Sequence, residues 1–236
     1  PLGAIGVKGG PSMAYADRFE LKIIGKGGHG ALPHQTVDAI VVGAEVVTAL
    51  QTIVSRSVNP LQPAVVSVGK FHAGDAFNVI TPVAELWGTV RSFDPEVADL
   101  IPVRIDQLVA GICQAHGATY ELNYLRNYPA VLNDEKVAAQ VEAVARQVLG
   151  TEAQIVPEMT MGGEDMSYFL REVPGCYFFL GSANPQLGLN YPHHHPHFDF
   201  DETALGIGVE IFLRWIESYS GTEMPATPAV TLAERT

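Results

Sequence analysis

The stretch MGGEDMSYF, residues 161–169, sets two glycines before two adjacent carboxylates, Glu164 and Asp165, and then begins an amphipathic segment. Further on, YPHHHPHFDFDE, residues 191–202, gathers His193, His194, His195 and His197, with Asp199 close behind. Imidazole is the commonest neutral metal ligand and the usual general base near neutral pH. A metal site, however, needs three or four donors converging from several segments. Only this one cluster is visible, with no HExxH and no CxxC pair. Spacing alone leaves a metal site and a histidine-rich polar loop both open. Glu164 suits a group that orients a metal-bound histidine, and Asp165 suits a helix cap. The plainer reading is that both simply end a turn.

His29 and His34 lie in GKGGHGALPH. Glycines on both sides let the backbone approach a ligand closely. A histidine there can donate to a developing oxyanion, and a surface-loop histidine would look the same. Asn78 sits in FNVITP, and Arg91 ends GTVR. Arginine grips a carboxylate through two parallel hydrogen bonds, and an amide can assist. Their plainer roles are a turn residue and a surface cation. No nucleophile elbow, phosphate-cradling loop or dinucleotide fingerprint is present.

Composition narrows the classes. With 236 residues the chain has room for one large domain or two small ones, and 47% hydrophobic residues suffice for real cores. A net charge of −12 with only 14 Lys and Arg argues against nucleic-acid binding. Cys113 and Cys176 each lie in an apolar run and read as buried thiols rather than a disulfide framework. No apolar stretch is expected to reach the roughly 20 residues of a membrane helix, and no signal peptide is visible.

The elements that must position these residues follow from periodicity. Residues 16–26 alternate apolar and polar, as a half-buried strand does. A helix follows, capped by Thr36 or Asp38. Residues 63–72 and 82–93 read as strands. Asp94-Pro95 opens a second long helix with a cap and a first-turn proline. Residues 117–127 make a fourth strand. The order strand–helix–strand–strand–helix–strand is that of the ferredoxin-like unit, a four-stranded antiparallel sheet with two helices on one face. After Tyr128 the pattern changes. Residues 134–149 form a helix, AQIVPEM a short extended piece and DMSYFLREV a short helix. PGCYFFLGSA reads as a strand buried on both faces, as in a parallel sheet, and residues 202–219 as a closing helix. This second region looks like half of an α/β domain whose other strands lie elsewhere.

Together the segments GPSMAYADRFELKIIGKGGHGALPH, ALQTIVSR, FNVITP, GTVRSF, MGGEDMSYF and HHPHFDFDE resemble the metal-dependent amidohydrolases and peptidases. These include hippurate hydrolases, N-acyl-amino-acid amidohydrolases, auxin-conjugate hydrolases and aminoacylases. The resemblance covers nearly all of the chain up to about residue 219. Thr81 is a small departure from which nothing follows. The resemblance implies an α/β zinc-peptidase-like catalytic domain with an inserted ferredoxin-like lid. Residues 1–15 then end the first catalytic segment, 16–127 form the lid or dimerisation domain, 128–219 the C-terminal part of the catalytic domain, and 220–236 a mobile tail. The chain would be a C-terminal portion that lacks most metal ligands, with residues 128–219 exposing apolar surface that normally packs on the first half.

By the same resemblance His194 matches the last metal ligand, with His193 and His195 as confusing neighbours. His29 matches the lid histidine that polarises the scissile carbonyl, usually in the partner subunit's site. Asn78 and Arg91 match the residues that hold the substrate carboxylate, and Glu164 a glutamate near the metal centre. The implied cofactor is a divalent metal (zinc, manganese, cobalt or nickel), two per complete site. The implied chemistry is amide hydrolysis of N-acyl amino acids by a cytoplasmic homodimer joined through the lid, with no nucleic-acid or membrane partner. The alternative is a non-catalytic dimerisation and carboxylate-binding module. A histidine-rich metal buffer is a third and weaker reading.

Overall fold

A computed structural model describes residues 1–150 and 153–221. It is a mixed α/β structure. In chain order its elements are β1 (Ile5–Gly6), β2 (Gly10–Met13), β3 (Tyr15–Ile24), β4 (Gly28–His29), α1 (Ala39–Thr52), β5 (Ala64–Ala73), β6 (Val79–Ile80), β7 (Val83–Ser92), α2 (Pro95–His116), β8 (Thr119–Tyr128), β9 (Val131–Asn133), α3 (Glu135–Leu149), β10 (Ile155–Val156), α4 (Met166–Glu172), β11 (Phe179–Leu180) and α5 (Thr203–Ser220). Two compact units result. The first holds Pro1–Ser12, Val131–Thr160 and the chain from Tyr168 onward, and the second holds Met13–Ala130 and Met161–Ser167.

In the second unit, four strands pair in the order β5-β7-β3-β8, and every pairing is antiparallel. Alternation sends Phe19, Leu21 and Ile23 of β3 to the same face as Ala84, Leu86 and Val90 of β7, and all six are buried. They share one core with Val42, Val46 and Leu50 of α1 and with Ile101, Ile105 and Val109 of α2. Each buried side chain of this size contributes roughly 1.5–3 kcal/mol. The opposite face is polar and charged. There Glu20, Lys22, Glu85, Trp87, Glu121 and Asn123 surround a depression of about 310 Å³.

The helix ends follow local chemistry. Asp38, not Thr36, caps α1 by accepting from the Ile40 and Val41 N–H groups. Asp94 does the same for α2, with Pro95 in its first turn, and Gly117 closes it in the left-handed conformation. A π-helical turn, Ile53–Ser57, prolongs α1. Ala39–Ser57 is therefore 19 residues long with a mean hydropathy of 1.4, long and apolar enough to cross a membrane. This corrects the expectation that no stretch comes close. The buried stripe Ala39, Val42, Val46, Leu50 and Ile53 makes it a core helix, while Ile40 and Val41 on its outer side raise its hydropathy further.

In the first unit, β1 is flanked by β10, parallel to it, and by β11, antiparallel to it. The expectation of a strand within PGCYFFLGSA buried on both faces fails. Among the described residues only Phe179 and Leu180 form ladder pairs, and residues 176–182 are half-buried, because each strand of this three-stranded sheet is two residues long. Separately, β2 pairs with β9. The core joins Ile5 and Val7 to Val141, Val144 and Ala145 of α3 and to Ile207 and Ile211 of α5. Asp134 caps α3, and Gly150 closes it. The outer stripe Leu205, Val209, Phe212 and Ile216 of α5 is between 49% and 59% exposed. The expected mobile tail lies outside the described residues beyond Gly221.

Candidate functional site

His29 and Asn78 are 49 positions apart in sequence yet meet in one short ladder. Gly28 pairs with Ile80 and His29 with Val79. The Gly30 N–H donates to the Asn78 carbonyl at 2.8 Å. A Cβ on residue 30 would lie 2.8 Å from that same oxygen, so glycine is required for this approach. His29 Nδ1 accepts a hydrogen bond from the Ala31 N–H at 3.0 Å. That acceptor role leaves the proton of the neutral ring on Nε2, so His29 offers an N–H donor to solvent. His29 and Asn78 are both exposed. The Asn78 side-chain amide makes no hydrogen bond among the described residues.

Arg91 lies elsewhere. The β4–β6 ladder continues outward from the end of the sheet where Ile24 faces Val83. Arg91 faces Ala16 near the other end of β7, eight residues beyond Val83. At about 3.3 Å per residue, the strand alone separates them by roughly 26 Å. Arg91 Nη1 donates toward the Val90 carbonyl at 2.9 Å, the Asp17 carbonyl at 3.3 Å and the Thr89 hydroxyl.

Glu164 falls at the Arg91 end. The Ala14 N–H donates to the Gly162 carbonyl at 2.9 Å. A Cβ at Gly163 would meet that of Ala16 at 2.4 Å, so only glycine lets this segment lie against β3. Glu164 is half-buried, and its carboxylate has no hydrogen-bond partner among the described residues. Asp165 is exposed and does not cap α4. The Ser167 N–H reaches the Glu164 backbone carbonyl instead.

His194 belongs to the other unit. It is the non-glycine residue with positive φ, 67°, among those described. The His195 N–H donates to the Pro192 carbonyl, so His194 takes the turn position that favours glycine or asparagine. His193 packs edge-on against Phe198, and His195 stacks on Tyr191 with ring centroids 4.4 Å apart. The His194 ring makes neither a ring contact nor a hydrogen bond among the described residues, which singles it out from its neighbours. No group of three His, Cys, Asp or Glu side chains that could hold a metal occurs among them. One histidine does not hold a catalytic ion, so the donor set visible in this chain does not fit a metal centre by itself.

Asp17 continues the buried alternation of Phe19, Leu21 and Ile23 and sets a carboxylate where that face is otherwise apolar. It is 2% exposed and lies on the helix-facing side of the sheet. Tyr124 donates its hydroxyl to Asp17 Oδ2 at 3.0 Å, while Oδ1 has no partner among the described residues. Burial, the largest influence, holds the Asp17 carboxyl above its ordinary 3.8, against the pull of Tyr124, Arg126, the Asn127 backbone and Arg91. Burial, with the Asp17 charge, likewise pushes the Tyr124 phenol far up. The folded state therefore holds the Asp17 proton more tightly than the unfolded chain. Its contribution to stability is full below 3.8 and declines as pH rises through the displaced value. Asp17→Asn should remove that slope. Thermal melts between about pH 3.5 and 7 should show the variant gaining on wild type as pH rises, and a pH-independent difference would refute the assignment.

Cys113 is buried, and burial pushes the half-buried Cys176 thiol up to about 12, so neither is a reactive thiolate.

Comparison with known proteins identifies the family. Residues 6–218 match the model of peptidase family M20/M25/M40. The chain belongs to that family. It is 53% identical over 131 residues to the N-acyl-L-amino acid amidohydrolase of Geobacillus stearothermophilus, covering 56% of this chain and 35% of that protein. It is 38% identical over 213 residues to an N-acetylcysteine deacetylase of Bacillus subtilis, covering 90% and 54% of the two chains. The crystal structure of the Bacillus subtilis YXEP protein, a dinuclear metal binding peptidase from the M20 family, superimposes with a TM-score of 0.74 at 30% identity, covering 94% of this chain and 55% of that one. The chain spans about half the length of the relatives it matches.

Proposed function

We propose that this chain is the lid and C-terminal catalytic portion of a metal-dependent amidohydrolase that cleaves the amide bond of N-acyl amino acids. The second unit, with its β5-β7-β3-β8 sheet under α1 and α2, is the ferredoxin-like lid. The first unit is part of a catalytic domain completed by residues outside this chain. Its short three-stranded sheet and the exposed stripe of α5 support that reading.

The observation that carries the proposal is the division of the candidate residues between two ends of one sheet. Arg91 sits at the end where the Glu164 segment packs, and His29 with Asn78 at the other. No single ligand of amino-acid size reaches both within one lid. Two copies of the lid, each lending its His29 and Asn78 to the other's Arg91, satisfy the geometry. The exposed apolar residues of α1 and the open edge of β5 suit such a homodimer.

In this reading Arg91, assisted by Asn78 from the partner copy, grips the free carboxylate and fixes the amide in place. The Nε2–H of His29 donates to the carbonyl oxygen as negative charge develops on it. A divalent metal, supplied by a complete donor set to which this chain adds His194, would activate water. Its identity is left to measurement. Cytoplasmic residence belongs to the same proposal.

The experiment compares the purified 236-residue chain with the complete gene product. Each is incubated with zinc or manganese, passed through gel filtration, and assayed for retained metal and for hydrolysis of N-acetyl amino acids. The complete product should retain stoichiometric metal and hydrolyse, and the chain alone should do neither. The other reading is a carboxylate-binding module without chemistry, built on Arg91 and Asn78 alone. A native product no longer than this chain, inactive with every metal, would establish that instead.

A further inference from the structure

We propose that Thr89 is a positioning residue for Arg91, seated by the β-bulge that holds Asp17. The inference rests on the reading of Arg91 as the carboxylate anchor and deepens it.

A guanidinium recognises a carboxylate well only when its planar fork is held in one orientation. The geometry of Arg91 provides this. All its contacts use Nη1, which faces the carbonyls of Asp17 and Val90 and the hydroxyl of Thr89. Nε and Nη2 have no partner among the described residues. One corner of the fork is tethered, and the edge formed by Nε and Nη2 is left for two parallel bonds to a carboxylate.

Thr89 is the hinge of that tether. It stands two residues before Arg91 on β7 and so presents its side chain on the same face. Its hydroxyl accepts from Arg91 Nη1 and donates to the Asp17 carbonyl at 3.2 Å. A hydroxyl has one proton and two lone pairs, so both bonds form at once. Valine, with the same shape, forms neither.

Asp17 is held in turn. The β3–β8 register slips between Ala16 and Asp17, which face Tyr128 and Arg126 and leave Asn127 without an opposite residue. The Asn127 backbone N–H turns to the Asp17 carboxylate, which also accepts from Tyr124. With its side chain fixed on the helix side of the sheet, Asp17 keeps its carbonyl aimed at Thr89 and Arg91.

The test measures KM and kcat of the complete, metal-loaded gene product with two substrates. One is an N-acetyl amino acid, and the other is the same compound with its carboxylate capped as a primary amide, read as Ki where it is not turned over. Arg91→Ala comes first. If it weakens acid and amide alike, or neither, the reading of Arg91 itself fails. If it weakens the acid selectively, Thr89 is then on trial. Thr89→Val should raise KM for the acid about tenfold, the scale of one hydrogen bond to a charged group, with kcat and the amide little changed. Thr89→Ser should restore the acid to within about threefold of wild type. Where the valine variant does not fold, Thr89→Ala takes its place with the same expectation. Equal effects on both substrates, no effect on either, or failure of serine to rescue would overturn the proposal.

Discussion

Co-expressing the His29→Ala and Arg91→Ala variants of the complete gene product should restore about a quarter of wild-type activity. Each single variant should be severely impaired. Loss of one oxyanion donor costs about 10²–10³ in rate, and loss of a bidentate charged anchor about 10² in carboxylate affinity. Recovery follows from where the two residues sit. The His29–Asn78 ladder projects beyond the Val83 end of β7, and Arg91 is eight residues toward the other end. If each complete site takes Arg91 from one copy and His29 from another, a mixed dimer holds one site with both residues intact and one with neither. Random pairing makes about half of the dimers mixed, and half of the sites in those are whole. If both residues instead served one site within one copy, every site in the mixture would be broken and nothing would return. Differently tagged copies, purified through both tags, isolate the mixed dimer. Its activity should then be about half that of wild type. Absence of recovery in that doubly purified species would remove the two-copy site.

Much of the scaffold was legible because its signals are local. Asp94-Pro95 announces α2, and alternation around Phe19, Leu21 and Ile23 announces β3. Each depends on residues within one turn or one strand. Burial against distant neighbours was less legible. PGCYFFLGSA is as apolar as a central parallel strand, yet pairs over two residues and remains half-buried. The hydropathy of α1 reflects two faces, one packed on its own sheet and one outward, which composition cannot separate.

The candidate site divides the same way. Motifs nominated His29, Asn78, Arg91, Glu164 and His194 as candidates. Their grouping was not legible, because the pairing of His29 with Val79 spans 50 positions and Gly163 against Ala16 spans 147. Asp17 and Thr89 escaped notice altogether. Asp17 follows the parity of Phe19, Leu21 and Ile23 onto the core face, but a lone strand aspartate reads as solvent-facing, and the bulge opposite it lies in β8, where no spacing rule marks it.

Asn133→Ala should lower the stability of the first unit by about 3–4 kcal/mol, the largest stability effect anticipated for one polar side chain here. Asn133 is 4% exposed at the end of β9. Its Nδ2 donates to the carbonyls of Lys8 at 2.9 Å and Tyr177 at 2.8 Å, and its Oδ1 accepts from the Tyr177 N–H at 2.7 Å. One amide thus joins the segment after β1, the segment before β11 and the chain entering α3. The β2–β9 ladder and the bond from the Asp134 N–H to the Gly175 carbonyl join the same segments, and the amide adds three bonds to them. Losing three buried bonds together makes the loss exceed the roughly 1 kcal/mol of a single exposed bond. Asn133→Asp separates hydrogen bonding from shape. It keeps the acceptor for Tyr177 but points a carboxylate at two carbonyl oxygens. When protonated, it donates to one of them. Its folded-state pKa should therefore rise, and its stability should fall as pH increases through that value. Fluorescence isolates the unit concerned, since Trp215 lies in the first unit and Trp87 in the second. In a Trp87→Phe background, Trp215 reports denaturant unfolding of the first unit alone. A loss under about 1 kcal/mol for Asn133→Ala, or an Asn133→Asp variant indifferent to pH, would mean that the three segments are held by something other than this amide.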